Sequence, residues 1–212
     1  TDGGIDQGNT ILSEEDFKNI HGTPYFNAIN ACIQTVMASF NSWNGTKMHG
    51  NKYLLSSILR DEMGFNGLVV GDWNGHSQIP GCSNESCPES FNAGVDIFMV
   101  PDDWKLLYKN TLDQVNSGLI TKERLDDAVR NILQVKHLLG MFDERKPHLY
   151  PHNFIGSQEH KEIARQAVRE SIVLLKNNSN TLPVKSGKHI LVVGEASRQI
   201  KNQMGGWTIS WQ

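Results

Sequence analysis

Short apolar runs separated by polar turns recur along the chain and predict three buried strands. The runs cover 34–39 (QTVMAS), 68–71 (LVVG) and 96–100 (DIFMV). Each is too short for a helix that stands alone and contains branched side chains, which favours a strand. Polar segments follow each run (FNSWNG, DWNG and PDDW), so each predicted strand leads into a loop.

Stretches with helical periodicity lie around these strands. The predicted helices are 24–31, 52–63, 89–93, 104–116 and 122–139. Ser13 is a predicted N-cap with Asp16 three residues on, Thr121 caps the last helix, and Gly64 ends the helix at 52–63. The order strand, loop, helix predicts an α/β fold with parallel strands. Three such units within about 110 residues suggest the C-terminal half of a (β/α)₈ barrel.

A break in this pattern predicts a domain boundary. Residues 1–142 hold the barrel pattern, and 143–158 contain two prolines, which indicates an interdomain linker. An amphipathic helix at 159–176 and a strand at 189–194 (HILVVG) then predict the start of a second α/β domain, 159–212. Because the chain begins TDGG and ends WTISWQ, we expect an internal piece of a longer protein.

The segment LVVGDWNG (68–75) places a carboxylate and an indole together at the end of a predicted strand. In (β/α)₈ barrels the chemistry lies at the C-terminal ends of the strands. An indole can pack on the apolar face of a pyranose while a carboxylate attacks the anomeric carbon. Asp72 and Trp73 are therefore candidates for sugar chemistry. The alternative is a solvated loop aspartate that caps nearby backbone.

Composition excludes several other classes of function. The chain has 212 residues, 38% hydrophobic and 20% charged, as in globular proteins. A net charge of −3 gives no electrostatic reason to bind nucleic acid or an anionic membrane. No apolar run approaches the roughly 18 residues that span a bilayer. The sequence indicates no cofactor and leaves the oligomeric state open.

The three cysteines carry separate expectations. Cys32 lies in an apolar stretch and is predicted to be a buried small hydrophobic residue. Cys82 and Cys87 bracket the short loop CSNESC, which suggests a disulfide and an oxidising compartment. A reduced pair is the alternative. A metal site is not favoured, because no further Cys or His stands at ligand spacing.

Several long segments, in order, resemble glycoside hydrolase family 3 β-glucosidases and exo-glucanases. LVVGDWNG resembles the family's nucleophile motif, in which an aspartate directly precedes a tryptophan at the end of a barrel strand. The other segments that carry the resemblance are QTVMASFNSWNGTKMHGNKYLL, AGVDIFMVP, RLDDAVRNILQVKHLLGMF, ARQAVRESIVLLKN and GGWTISWQ. Together they cover essentially the whole chain.

The resemblance implies a retaining, exo-acting β-glucoside hydrolase that releases glucose from β-glucans or cello-oligosaccharides. Asp72 would be the nucleophile, and Trp73 and Trp211 would hold the sugar between two indoles. The acid/base glutamate would lie beyond Gln212, so residues 1–212 alone are expected to be inactive. The likeness to bacterial exo-glucanases also implies a periplasmic or secreted location.

Two positions depart from the family pattern. Phe40 stands where many members have a tyrosine, so a hydroxyl near the nucleophile is lost. Gln78 stands where plant relatives have an arginine, so a positive charge is lost while hydrogen bonding to a sugar remains possible. His76 is a further candidate for the edge of the site, His49 is expected to hold the loop, and Asp2 is a minor candidate.

Three other functions stay open at this point. A β-N-acetylhexosaminidase of the same family is disfavoured, because those enzymes usually consist of the barrel alone. A sugar-binding protein without activity is disfavoured by the intact Asp72–Trp73 pair. A nucleotide-binding unit at HILVVGEAS lacks the G-x-G-x-x-G spacing.

Overall fold

The structure, a computed structural model, describes residues 7–143 and 154–204. Six strands lie within these residues: β1 (Asn9–Thr10), β2 (Thr35–Met37), β3 (Ser42–Trp43), β4 (Thr46–Lys47), β5 (Leu68–Trp73) and β6 (Ile97–Met99). The chain divides into two compact units, Thr1–Pro147 and His148–Gln212. All six strands belong to the first unit.

The helices follow the predicted order. They are α1 (Glu14–Phe17), α2 (Thr23–Asn30), α3 (Tyr53–Glu62), α4 (Pro88–Ala93), α5 (Trp104–Asn116), α6 (Lys122–Leu138), α7 (Gln158–Ser171) and α8 (Ile200–Gln203). The segment Lys18–Gly22 joins α1 to α2 as a π helix, and α3 is itself wound as a π helix. The predicted caps are confirmed: Ser13 Oγ accepts the N–H of Asp16, and Thr121 Oγ1 accepts the N–H of Arg124.

A parallel sheet with the order β2-β5-β6 forms the centre of the first unit. Val36 pairs with Val69 across β2 and β5, and Val70 pairs with Ile97 across β5 and β6. A smaller sheet has the order β1-β3-β4, in which β1 and β3 are parallel and β3 and β4 form an antiparallel hairpin. Parallel strands alternating with helices confirm the predicted α/β class, in the arrangement of part of a (β/α)₈ barrel.

The hydrophobic core lies between this sheet and α3. Leu55 and Leu59 of α3 pack with Val36 and Val69 of the sheet, and Phe65 closes the turn after the helix. The connection from β2 to α3 contains the β3–β4 hairpin, and a short turn then leads from α3 into β5. Parallel neighbours such as β2 and β5 need a crossover of this kind, and here α3 covers the sheet that they form. This packing fixes β5, the strand that carries Asp72.

A buried carboxylate ties β6 to its surroundings. The Asp96 side chain has no solvent exposure, and Arg60 Nη2 and Arg124 Nη2 lie 2.6 and 2.8 Å from its oxygens. The N–H of Val69 also donates to Asp96 Oδ2 at 2.9 Å. Because a buried charge is costly unless paired and hydrogen-bonded, this network holds β5, β6, α3 and α6 in register.

Two expectations in the first unit are corrected. Cys32 is an exposed free thiol, because it occupies the turn after α2 with a φ of 62°. The strand predicted at 34–39 is buried on one face only: Val36 and Ala38 point inward, while Met37 is 48% exposed. Successive strand residues point to opposite faces, which accounts for the alternation.

The second unit contains α7 and α8 among its described residues. The predicted helix at 159–176 ends at Ser171, where Ile172 turns to an extended conformation. The strand predicted at 189–194 is wrong: these residues form neither helix nor strand, and Leu191 is 85% exposed. Within 154–204 no second strand offers backbone hydrogen bonds to it. The assignment of 159–212 to an α/β sandwich stays a prediction.

Candidate active site

The end of β5 pairs irregularly with β6. Val70 pairs with Ile97 and Trp73 pairs with Met99, so three steps along β5 match two along β6. One extra residue is therefore accommodated in β5, as in a β-bulge. Bulges re-aim side chains and recur next to active sites. Asp72 lies in this irregular stretch, at the C-terminal end of a parallel strand.

The Asp72 carboxylate stands next to an open aromatic surface. Its Oδ1 accepts the backbone N–H of Trp73 at 2.7 Å. The Asp72 side chain is half-buried, and Trp73 is 53% exposed. A half-buried, hydrogen-bonded carboxylate beside an exposed indole is suited to a ligand that has both polar groups and an apolar face.

His49 holds the backbone of Asp72 from behind. It lies in the 3₁₀ turn Met48–Gly50 and is 1% exposed. The N–H of Asp72 donates to His49 Nε2 at 2.8 Å. Since Nε2 accepts, the ring proton resides on Nδ1, the nitrogen left to bond to the Ser39 backbone. The expectation that His49 holds the loop is confirmed in this respect.

The two glycines of GDWNG make room for this ring. A Cβ on Gly75 would lie 2.3 Å from His49 Cε1 and Nε2, far inside van der Waals contact. A Cβ on Gly71 would lie 3.4 Å from His49 Cδ2, an ordinary contact. The imidazole thus lies in a slot between the two glycines. Only at Gly75 would a side chain clash with the ring, so the slot requires glycine at that position.

The environment keeps His49 neutral. The pKa of His49 is lowered to about 4, chiefly by burial, and the nearby His76 and Lys47 contribute to the lowering. The Asp72 carboxylate and the Ser39 backbone act in the opposite direction on this pKa. Nε2 therefore remains a hydrogen-bond acceptor near neutral pH.

Phe40 lies behind the site. It is 8% exposed, and its ring centroid is 6.2 Å from that of His49. Its backbone carbonyl accepts Lys47 Nζ at 3.0 Å. The structure thus packs Phe40 against the histidine that holds Asp72, and a role for Phe40 in sugar binding stays a prediction.

Gln78 has polar partners of its own. Its Oε1 accepts Lys47 Nζ at 2.8 Å, and its Nε2 donates to Gln7 Oε1 at 3.0 Å. This chain of contacts joins the turn after β5 to the start of the described residues. Both ends of the Gln78 amide are therefore hydrogen-bonded to other side chains, and its role in sugar binding stays a prediction.

The structure places His76 inside the protein. Its side chain has no exposure, its ring meets Phe98 edge-on at 5.1 Å, and Nε2 lies 3.0 Å from the Asn84 carbonyl. Because a carbonyl only accepts, Nε2 carries the proton. Burial lowers the pKa of His76. In this arrangement His76 supports the loop at 82–87, and a place for it at the edge of the sugar site stays a prediction.

The predicted disulfide between Cys82 and Cys87 is confirmed. The loop that it closes is fixed to α5: Asn84 Nδ2 donates to Asp103 Oδ2, and Gln114 Nε2 donates to Ser86 Oγ. Among the described residues, the one cluster of potential metal ligands is Cys82, Cys87 and Glu89. The disulfide leaves no thiolate there to bind a metal.

Two predicted site residues, Asp2 and Trp211, lie outside the described residues. One residue near the site, Lys47, is not predicted from the sequence; it contacts Gln78 and the backbone of Phe40. A lysine beside an asparagine-glycine turn carries no local signal for such contacts.

Comparison with known proteins places the chain in a family. The profile of the Glycosyl hydrolase family 3 N terminal domain matches residues 1–135. The chain belongs to glycoside hydrolase family 3. The resemblance stated from the sequence is thereby confirmed.

Family 3 relatives resemble the chain along most of its length. A periplasmic beta-glucosidase of Salmonella typhimurium is 34% identical over 218 residues, covering 98% of this chain. The structure of an exo-1,3/1,4-beta-glucanase from a Pseudoalteromonas species is 47% identical over 99% of the chain, with a TM-score of 0.84. A beta-glucoside phosphorylase is 26% identical over 85% of the chain, with a TM-score of 0.72.

This family 3 chain spans a minor part of each relative. It covers 28% of the Salmonella protein, 27% of the Pseudoalteromonas glucanase chain and 36% of the phosphorylase chain. Within the described residues, no helix combines the length and the apolarity that a membrane crossing needs.

Proposed function

We propose that the protein containing this chain is a retaining, exo-acting β-glucosidase and that Asp72 is its nucleophile. The observation that carries the proposal is the placement of Asp72, half-buried at the C-terminal end of β5 and next to the exposed ring of Trp73. Family membership supports the same chemistry. The substrates are β-glucans or cello-oligosaccharides, from which glucose is released at the non-reducing end.

The reaction has two steps. A carboxylate oxygen of Asp72 attacks the anomeric carbon, the bond to the leaving-group oxygen breaks, and a general acid protonates that oxygen. Water, deprotonated by the same group, then attacks the glucosyl-enzyme and releases both glucose and the carboxylate. We do not assign the acid/base among residues 1–212. The N–H of Trp73 holds Oδ1, so Oδ2 is the oxygen proposed to attack.

Trp73 and Trp211 are proposed to bind the sugar between their rings. Each stacking contact contributes on the order of 1 kcal/mol, by analogy with other aromatic contacts. Phe40 and Gln78 are proposed as neighbours of the binding site. We place the protein in the periplasm or outside the cell, because a disulfide persists in an oxidising compartment.

Trapping of the intermediate tests the proposal. The protein at its full natural length is treated with a 2-deoxy-2-fluoro-β-glucoside bearing a good leaving group, then digested and sequenced. We expect the label on Asp72, with burst kinetics, and an unlabelled, inactive Asp72→Asn variant. A label on another residue would refute the nucleophile, and absence of both label and turnover would indicate a sugar-binding protein.

Product analysis then separates the related reactions. With aryl β-glucoside and inorganic phosphate present, a hydrolase releases glucose and a phosphorylase releases glucose 1-phosphate. Turnover of an aryl N-acetyl-β-glucosaminide in preference to the glucoside would identify a hexosaminidase. We expect glucose, released at a rate that phosphate does not change.

A further inference from the structure

The ring of His49 lies where it can control the position of Asp72. It is almost entirely buried, and it occupies the slot between Gly71 and Gly75 on either side of Asp72. Its Nε2 is 2.8 Å from the backbone nitrogen of Asp72. The contact is therefore made with the backbone of the proposed nucleophile, and the carboxylate stays open to a substrate.

The irregular pairing of β5 makes this contact necessary. Between the pairs Val70–Ile97 and Trp73–Met99, β5 has one more residue than β6. The extra residue of a bulge disrupts the ladder locally and needs other hydrogen-bond partners. The amide of Asp72 finds its acceptor in a side chain 23 residues earlier in the chain.

We propose that His49 is a positioning residue, whose Nε2 acts as a hydrogen-bond acceptor that fixes the backbone of Asp72 for attack on the sugar. The inference rests on the proposed role of Asp72 as nucleophile. His49 itself contacts neither substrate nor reacting atoms. Misplacement of a reacting group by about 1 Å can lower a rate on the order of 100-fold.

The contact requires a neutral ring. The groups that face His49 are the Asp72 carboxylate, His76, Lys47 and the Ser39 backbone. Burial is the largest influence on the pKa of His49 and lowers it to about 4. Protonation would place an N–H donor against the Asp72 N–H donor, and the hydrogen bond would be lost.

Two variants separate hydrogen bonding from packing. His49→Gln keeps an acceptor at the approximate position of Nε2, whereas His49→Phe keeps a flat ring without an acceptor. In the full-length protein, we expect His49→Phe to lower kcat on the order of 100-fold with little change in KM. His49→Gln should stay within a few-fold of wild type. Rates of labelling by the fluoroglucoside should follow kcat.

The residue that the fluoroglucoside labels in wild type is determined first. This result tests the proposed function separately from the role of His49. If wild type does not label Asp72, the proposed function fails. If it does, equal kcat in both variants, whether unchanged or equally reduced, would overturn the role of His49. Unfolding midpoints establish that each variant is folded before rates are compared.

The decrease of kcat at acidic pH gives a second test, which does not depend on whether His49→Phe folds. Gln cannot protonate, so His49→Gln should retain a larger fraction of its kcat near pH 4 than wild type does. Acid limbs that coincide for wild type and His49→Gln would overturn the proposal, because the neutral acceptor would then have no influence on the rate.

Discussion

Lys47 Nζ lies 2.8 Å from Gln78 Oε1, so a lysine in the β3–β4 hairpin is bonded to the turn that follows Asp72. The same ammonium donates to the carbonyl of Phe40 at 3.0 Å. Plant relatives are expected to have an arginine in place of Gln78. In this chain the neutral amide is what allows a lysine to lie there as a donor.

We therefore expect Gln78→Arg to be unfavourable. A guanidinium has no acceptor, and it would place a second positive charge beside Lys47. The expected loss in free energy of unfolding is on the order of 1 kcal/mol. A double-mutant cycle with Lys47→Met measures the coupling by urea unfolding. If Gln78→Arg costs as much in the Lys47→Met background as in wild type, the lysine contact is not responsible.

The Asp96 network is expected to be essential for the stability of the first unit. Asp96→Asn removes the charge that pairs with Arg60 and Arg124, leaving two mostly buried cations without it. Breaking a buried pair on one side costs about 3–5 kcal/mol. Urea unfolding followed by tryptophan fluorescence measures the change.

The control is an acid in an exposed pair. Asp113 lies 3.8 Å from Lys109, and both side chains are mostly exposed. Asp113→Asn should change the free energy of unfolding by less than about 1 kcal/mol. Similar losses for Asp96→Asn and Asp113→Asn would contradict the importance of the buried network.

The local pattern of apolar and polar residues is sufficient to predict most helices and strands of the first unit. The run LVVG before Asp72 predicted β5, and the apolar spacing from Thr121 onward predicted α6. Both depend on neighbours in sequence, so they can be recognised without knowing the fold. The run at 189–194 (HILVVG) is similarly apolar but does not form a strand, because a strand also needs a partner and none lies within 154–204.

The contacts that position Asp72 could not be predicted in the same way. His49 and Asp72 are 23 residues apart, and Lys47 and Gln78 are 31 residues apart. Such pairs depend on strand register and on the bulge in β5, which no local pattern specifies. The sequence indicates Asp96 only as the start of a strand, because the two arginines that pair with it lie on separate helices.

The glycines around Asp72 are expected to differ in their tolerance of a side chain. Gly75→Ala places a Cβ 2.3 Å from the His49 ring, whereas Gly71→Ala places one at 3.4 Å. Overpacking of a filled site costs about 1–3 kcal/mol. We expect that loss in the free energy of unfolding for Gly75→Ala and a smaller one for Gly71→Ala.

A second substitution tests whether the imidazole is the obstacle. Combining Gly75→Ala with His49→Ala removes the ring that the new Cβ meets, so the two changes should cost less together than the sum of their separate effects. Additive costs would show that Gly75 is needed for another reason.

The stability of the first unit should fall in mild acid because of His49. Burial lowers the pKa of His49 from 6.5 to about 4, so the unfolded chain binds a proton at a higher pH than the folded one does. Its contribution is therefore fully present above about pH 6.5 and is lost as the pH falls towards 4, by roughly 3 kcal/mol. His76, whose pKa burial also lowers, acts in the same direction.

Urea unfolding at several pH values between 4 and 7 measures this dependence in wild type, His49→Gln and His137→Gln. We expect a shallower dependence in His49→Gln, which has no group to protonate at this position, with the remaining slope due in part to His76. His137 is exposed on α6, and its replacement controls for the loss of an imidazole as such. The same slope in wild type and His49→Gln would mean that the folded state accepts the proton on His49 as readily as the unfolded chain does, and the ring would then not be held neutral against the amide of Asp72.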